Sequence, residues 1–286
     1  MRKLYLQNES GERYALNGNG VLMTNVSGFG YAKAPAYSDL SYGFYQKVED
    51  VSEPQGVLVG DVNFYRKGTI KEPYAAYRAF VNWVNRGSSL TFVYCPFGGE
   101  EYYRDVDVTL LSKSEKEVCG ILSVPMTCTA KTPWYRKSPI SITIEPNQGQ
   151  NSKRYSFCYP HLYGQNGENA GCEISGGGHM ESGLKVSIPG PVLNPVIKLT
   201  DAVSSAEYGR LQLATDIPRG STLFYSTLRY DAYVRIDGED SIDLVNLEYA
   251  PLFGVPAGRL CRLEISADAA LPDAIQVQLY DFFRSV

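Results

Sequence analysis

The sequence predicts a mainly β protein of two domains, the first with one helix packed on its strands and the second a β-sandwich or jelly roll. Three observations predict it. Apolar and polar residues alternate at period two along much of the chain, helical spacing occurs in one place, and a proline-closed segment separates a half with that helix from a half without one. At 286 residues the chain is long enough for two domains that each bury a core.

The segment Glu101 to Tyr135 organises the rest. Val106, Val108 and Leu110 alternate with Asp105, Asp107 and Thr109, the pattern of a strand with one buried face. The polar turn Ser112-Lys113-Ser114-Glu115-Lys116-Glu117 follows. Val118, Leu122, Val124, Met126 and Cys128 then share a face of a second run, so the two segments predict a long hairpin. Thr132-Pro133-Trp134-Tyr135 closes it, because proline cannot continue a central ladder. The domains are accordingly placed at 1–137 and 138–286.

In chain order, Tyr5 and Leu6 face Tyr14 and Leu16 across Asn8-Glu9-Ser10-Gly11-Glu12, an opening hairpin. Val21 to Tyr31 reads as a strand end bent at Gly28 and Gly30, which lack the third glycine and the following helix of a dinucleotide fingerprint. Val57 to Tyr65 alternates again. A helix is predicted near 73–86: Glu72 and Pro73 suit a first turn, Tyr74, Tyr77, Phe80, Val81 and Val84 recur every three or four residues, and Gly87 stands at the C-cap. Its aromatic stripe reads as core. Leu90, Phe92 and Tyr94 resume the strand pattern.

From Ser138 the texture is β without helix. Ile140, Ile142 and Ile144 alternate, and a polar, glycine-rich stretch, 147–183, holds short strand-like pieces at Tyr155–Tyr159 and Cys172–Ile174. Eight strand-like runs follow: 184–188, 192–199, 208–214, 221–228, 233–236, 242–247, 260–265 and 275–283. Regularly spaced strands without helices imply the sandwich or jelly roll.

Composition excludes several functions. A net charge of -4 with no Lys/Arg-rich run leaves no surplus to neutralise phosphates, so nucleic acid is not an expected partner. No stretch has the length of a signal peptide or membrane span, which predicts synthesis in a cytoplasm and no membrane contact. The six cysteines, at 95, 119, 128, 158, 172 and 261, form no CxxC pair and are expected reduced. His161 and His179 lie in no Gly-x-Ser-x-Gly elbow, and no catalytic residue is assigned. Cys158, His161, Cys172 and His179 are the one set with zinc-ligand chemistry, but their spacing matches no familiar finger, so neither metal nor cofactor is expected. Gly176-Gly177-Gly178 lacks the Lys and Ser/Thr of a phosphate loop and reads as a flexible turn.

A further pattern spans nearly the whole chain. Its pieces are Val26-Ser27-Gly28-Phe29-Gly30, the helix before Gly87, Leu90-Thr91-Phe92-Val93-Tyr94, Tyr103-Arg104-Asp105-Val106, Leu111-Ser112-Lys113-Ser114-Glu115 and Thr132-Pro133-Trp134-Tyr135. Pro189-Gly190, Asn194-Pro195, Leu223-Phe224-Tyr225 and the closing Tyr280-Asp281-Phe282-Phe283-Arg284-Ser285-Val286 continue it. In this order they resemble the distal tail protein family of long, non-contractile-tailed phages and prophages of Gram-positive bacteria. The resemblance implies a non-enzymatic virion structural protein at the tail tip. It implies a β-barrel-like first domain with one helix that builds a ring, typically a hexamer, between tail tube protein and tail-associated hub protein. It also implies a galectin-like or carbohydrate-module-like second domain that can hold receptor-binding proteins or sugar. The 101–130 hairpin and the strand near Val57 to Tyr65 are expected to form the ring contact through edge backbone. The alternative is a carbohydrate-binding, host-surface attachment protein acting on cell-wall glycan through the 138–286 sandwich.

Overall fold

In the computed structural model the described residues are 2–18, 20–30, 36–40, 44–49, 56–65, 71–97, 99–113, 117–118, 120–141, 143–145, 169–268, 271–272 and 275–286. They divide into two compact units, 1–136 together with 283–286, and 137–282.

The first unit is an antiparallel sheet that curls until it meets itself. Its strands are β1 (Lys3–Asn8), β2 (Arg13–Ala15), β3 (Asn17–Gly18), β4 (Val21–Ser27), β5 (Ala36–Leu40), β6 (Phe44–Glu49) and β7 (Val57–Tyr65). Helix α1 (Lys71–Val84) follows, then β8 (Leu90–Cys95), β9 (Tyr102–Leu111), β10 (Glu117–Val118) and β11 (Ile121–Ala130). Around the ring, β1 pairs β8, β8 pairs β9, β9 pairs β11, β11 pairs β7 and β7 pairs β4. The segment 13–18 closes it, β2 pairing β1 and β3 pairing β4. Leu16, at the corner between them, donates its N–H to Leu4 O at 2.9 Å and accepts from Met23 N at 2.7 Å. Closure removes the exposed ladder edges that invite unwanted pairing. The β5–β6 hairpin stands outside this ring of pairings.

Inward residues of alternate strands, among them Leu6, Leu58, Val62, Phe64, Phe92, Leu122, Val124, Met126 and Cys128, are fully buried. The helix packs on this core through Phe80, Trp83 and Val84. Phe80 lies 4.9 Å from the Tyr14 ring and 5.9 Å from the Phe64 ring. Trp83, which the sequence stripe omitted, sits three residues beyond Phe80 on the same face and meets Tyr14 at 5.5 Å. Gly87 follows the helix, but not as a left-handed cap, and a Cβ there would meet the Asn8 Cβ at 3.4 Å, an ordinary contact.

The hairpin holds, with one change of face. Leu110 is 51% exposed, whereas Leu111 packs against the core. The cause is a bulge: Leu110 pairs Thr127 while Val108 pairs Cys128, so Thr109 is an extra residue. For the expected edge contact, the pairing within the chain limits what β11 can offer. β11 is paired by β7 from Ile121 to Thr129 and by β9 from Met126 to Ala130, leaving little of its backbone for a neighbour.

The second unit is a sandwich. Strand β12 (Trp134–Ile140) carries the chain into it, followed by β13 (Thr143–Glu145), β14 (Asn169–Ser175), β15 (Gly183–Pro189), β16 (Val192–Leu193), β17 (Val196–Asp201) and β18 (Glu207–Gln212). Then come β19 (Asp216–Ile217), β20 (Thr222–Leu228), β21 (Asp231–Ile236), β22 (Glu239–Asp240), β23 (Leu260–Ser266) and β24 (Gln276–Phe283). One sheet has the order β13-β14-β23-β17-β18, and the other contains β22-β21-β20-β15-β24. The chain passes repeatedly from sheet to sheet, as in a jelly roll. Both inner faces fill one core: Ala170, Ile197, Leu199 and Leu263 from the first sheet, Leu184, Val186, Tyr225 and Leu279 from the second.

Two expectations change here. Ile242–Leu247 is no strand, since Ile242–Leu244 forms one 3-10 turn and Ile242, Leu244 and Leu247 are exposed while Val245 is buried. Adjacent Leu244 and Val245 already break the alternation a strand needs. Gly176-Gly177-Gly178 is no loose turn. A Cβ on Gly178 would lie 2.2 Å from Phe282 O, and the Gly177 N–H donates to the buried Asp281 carboxylate at 2.9 Å.

Because Phe80 is fully buried against Tyr14 and Phe64, Phe80→Ala is expected to cost about 3–5 kcal/mol in the first unit. Urea unfolding followed by tryptophan fluorescence checks this, with a lowered midpoint for the transition that reports Trp83 and Trp134.

Candidate functional site

The polar residues that matter most in the first unit converge on Arg104. This arginine shares strand parity with Val106 and therefore points inward, where it is 9% exposed. Burial pushes its pKa down. Its Nε donates to Thr132 O at 3.0 Å, its Nη1 donates to Gly28 O at 3.2 Å, and its guanidinium lies 5.4 Å from the Trp134 ring centre. Such stacking favours a planar cation that has left water. A Cβ on Gly56 would lie 1.8 Å from the Arg104 Nη2 atom, so glycine leaves room for it.

Neighbouring groups complete the knot. Thr132 Oγ1 accepts from Asp105 N at 3.0 Å, and the Asp105 carboxylate accepts from Tyr135 OH and Thr91 Oγ1, both at 2.8 Å. Tyr103 stacks on Tyr135 at 5.7 Å, and Phe29 stacks on Trp134 at 5.6 Å. Gly28 itself has φ +100°, and a Cβ there would strike Val57 O at 2.1 Å. The sequence pieces 26–30, 103–106 and 132–135, far apart in the chain, thus meet at one place. The last residues join them, with Val286 N donating to Phe29 O at 3.1 Å.

Beside this knot, Arg13 holds Glu101 by two bonds, 2.7 and 2.8 Å. That pairing keeps the Glu101 carboxyl below its ordinary 4.5, and Tyr103, which donates to Glu101, is pushed up to about 12 chiefly by burial.

The outside of the same sheet is less polar than a wet face requires. Val57 and Val59 on β7 are 44% and 40% exposed and Leu110 on β9 is 51% exposed. Register places Val59, Thr127 and Leu110 in one row across β7, β11 and β9, and Val57, Thr129 and Asp107 in the next. Lys131 pairs Asp107 at 2.7 Å at the rim. Sequence reasoning assigned Leu110 to the core. The signal against that was the adjacent pair Leu110-Leu111, which cannot lie on one face of an unbulged strand.

Of the proposed zinc ligands, Cys158 and His161 lie outside the described residues. Cys172 lies half-buried on β14 against the sandwich core, and burial raises its thiol pKa. His179 is exposed, its backbone N–H bonded to Phe282 O at 2.8 Å. Among the described residues no three His, Cys, Asp or Glu side chains are grouped to hold a metal. Nor is any helix among them long and apolar enough to cross a membrane.

Residues 3–131 match the family model described as distal tail protein, N-terminal domain. No curated protein matches the chain by sequence. Among solved structures, a chain of the phage p2 baseplate in its activated conformation with Sr aligns with TM-score 0.67 and 14% identity, covering 100% of both chains. The corresponding baseplate with Ca gives TM-score 0.67 and 15% identity, again over 100% of both. The Dit protein of phage SPP1, described as a paradigm of hub adsorption apparatus in Gram-positive infecting phages, aligns with TM-score 0.61 and 8% identity, covering 97% of this chain and 98% of that one. At these identities the structural likeness establishes fold.

Two outcomes follow from this geometry. Glu101, lowered in the folded state, contributes stability that is full above pH about 4.5 and is lost as pH falls through its folded value. Glu101→Gln should therefore lower the urea midpoint at pH 7, and by progressively less as pH falls below about 4.5. Because Cys172 is committed to the core, elemental analysis after chelator-free purification should find well under one zinc per chain.

Proposed function

We propose, from the premise that this chain carries the distal tail protein N-terminal domain and is a structural component of a phage tail or baseplate, that it works as one subunit of a six-membered ring at the tail tip. The ring joins tail tube protein on one side to the tail-associated hub protein on the other and carries the host-adhesion apparatus. No catalytic step is assigned to it. A part whose task is to hold neighbours in place needs rigid surfaces, and the interlocked turns around Arg104 supply one.

The observation that carries this reading is the exposed trio Val57, Val59 and Leu110, in rows with Thr129 and Thr127, on a sheet whose edges are already paired. A ring needs a heterologous contact in which one face of each subunit meets a different face of the next. With ladder edges used up by closure, side-chain faces remain, and three exposed aliphatic side chains framed by threonine and a rim ion pair suit the dry centre and polar rim of such a contact. The ring contact therefore uses the same strands the sequence indicates, through their outer face instead of their backbone.

The test is light scattering on the full chain across a concentration series, alone and with the cognate tail tube protein. The parent chain is expected to reach a mass near six copies in at least one of those conditions, while Val59→Glu with Leu110→Glu stays a monomer. Exposed substitutions of this kind should move stability by roughly 0.5 kcal/mol or less each. An unchanged ring in the double variant would remove this face from the contact.

A further inference from the structure

Between Arg235 and Arg259 the chain has no lysine or arginine and five acids, Asp237, Glu239, Asp240, Asp243 and Glu248. Within this stretch Ile242, Leu244, Leu247 and Leu252 are exposed, Leu247 at 71%. Slack does not explain that exposure, because the segment is fastened along the free edge of β18. Asn246 N donates to Gln212 O at 2.9 Å, Arg210 N donates to Ala250 O at 3.0 Å, and Val245 bridges Leu213. Val245 and Phe253 anchor it in the sandwich core. The segment is thus a strap that closes a sheet edge while holding aliphatic side chains outward among acids, the composition of a surface that another protein covers.

The same unit carries a surface of opposite character. A cleft of about 390 Å³ lies on the outer face of the β21-β20-β15-β24 sheet. Pro139, Ile140, Phe224 and Ile275 give it apolar walls, and Phe224 is 40% exposed in mid-strand. Lys185 lines it too, held by Asp231 at 2.6 Å. Lys137, exposed on β12, shares the Tyr280 ring with Lys185, each ammonium 5.9 Å from the ring centre. Arg235 stands opposite Asp240 in register, whereas Asp243 and Glu248 form no ion pair among the described residues. The cleft on the opposite sheet, lined by Val196, Lys198, Arg210, Gln212, Glu264 and Ser266, has no aromatic wall and answers Arg210 and Glu264 within the chain, through Glu207 at 2.7 Å and Arg262 at 2.9 Å.

We infer that the 239–252 strap of one copy docks in the Phe224 cleft of a second copy. Leu244 and Leu247 cover Phe224 and the apolar walls, and Asp243 and Glu248 meet Lys185 and Lys137 around them, so that apolar area is buried at the middle and opposite charges fix the register at the margin. The two surfaces differ, which makes the contact heterologous: each second unit gives its strap to one neighbour and its cleft to another, as a closed ring allows. The contact rests on the ring reading only for local concentration. A ring keeps neighbouring second units close, so an interface too small to hold free copies together is populated there. It uses none of the Val57, Val59 and Leu110 face, which belongs to the first unit.

Unlabelled and heavy-nitrogen copies of the full chain are mixed at high dilution, concentrated with the cognate tail tube protein, and treated with a carbodiimide, which joins a carboxylate to a lysine it touches. Mass spectrometry then reads links whose two peptides carry different labels. The expected products join Asp243 or Glu248 to Lys185 or Lys137, with the Lys185–Asp231 link inside each chain as internal standard, and none join these acids to Lys198 of the opposite cleft. Leu247→Ser and Phe224→Ser, both at exposed positions, should each lower the mixed-label yield roughly fivefold or more and leave the internal link unchanged. The Val59→Glu, Leu110→Glu chain separates this contact from the ring: at high protein concentration it should give the same links at lower yield while remaining a monomer by light scattering. Those links in a parent chain that forms no ring would keep this contact and sink the ring. Absence of mixed-label links between these residues in both chains, or a yield that survives Leu247→Ser and Phe224→Ser, would overturn the proposal.

Discussion

The first unit depends on a buried cation. Inside the unit, Arg104 donates from Nε to the Thr132 carbonyl and from Nη1 to the Gly28 carbonyl, while Trp134 covers its face. Those two carbonyls belong to turns that arrive from opposite ends of the domain sequence. A hydrophobic residue at 104 could fill the volume but could not fix both turns, because carbonyl groups left facing an apolar side chain would lose their partners. A lysine could reach one carbonyl but lacks the planar fork. Barrel closure at Leu16 sets the curvature of the sheet, and Arg104 fixes how its connecting turns lie on it.

Much of this was legible before any coordinates. The helix announced itself through three- and four-residue spacing behind Pro73, the buried face of β11 follows the period-two pattern residue by residue, and β7 and β8 follow it except at the buried Asn63 and Val93. What periodicity could not carry was anything requiring a partner strand. The bulge at Thr109 is a property of the pairing with β11, and it alone moves Leu110 from core to surface. Strand β14 was legible only at Cys172–Ile174, since Gly171 and Asn169 give no apolar alternation, yet pairing with β23 extends it to Asn169–Ser175. The Arg104 contacts were half visible: its parity with Val106 points it inward, but its acceptors are 28 and 76 residues away in sequence.

The two units use their sheets differently. In the first, the apolar inner face serves one closed core, and the outer face keeps three aliphatic residues amid threonines. In the second, the core lies between two sheets, so each also has an outer face, and those faces diverge in chemistry. The triple glycine belongs to the same logic. It lets the 176–178 backbone settle against Phe282 with no side chain between, where the buried Asp281 accepts from Gly177 N and Ser182 Oγ. A stretch that looks like slack in the sequence is a close-packed joint in the fold.

Phe283–Val286 are part of the first unit although the whole of 137–282 precedes them in the chain. Translation runs in the opposite sense to this architecture. The unit begun first on the ribosome receives its closing residues only after the other has been synthesised, at about 5–20 residues per second. For some seconds, therefore, the nascent first unit lacks Phe283 beside Tyr102 and Val286 beside Phe29. The first unit is thus completed only after the second has been synthesised.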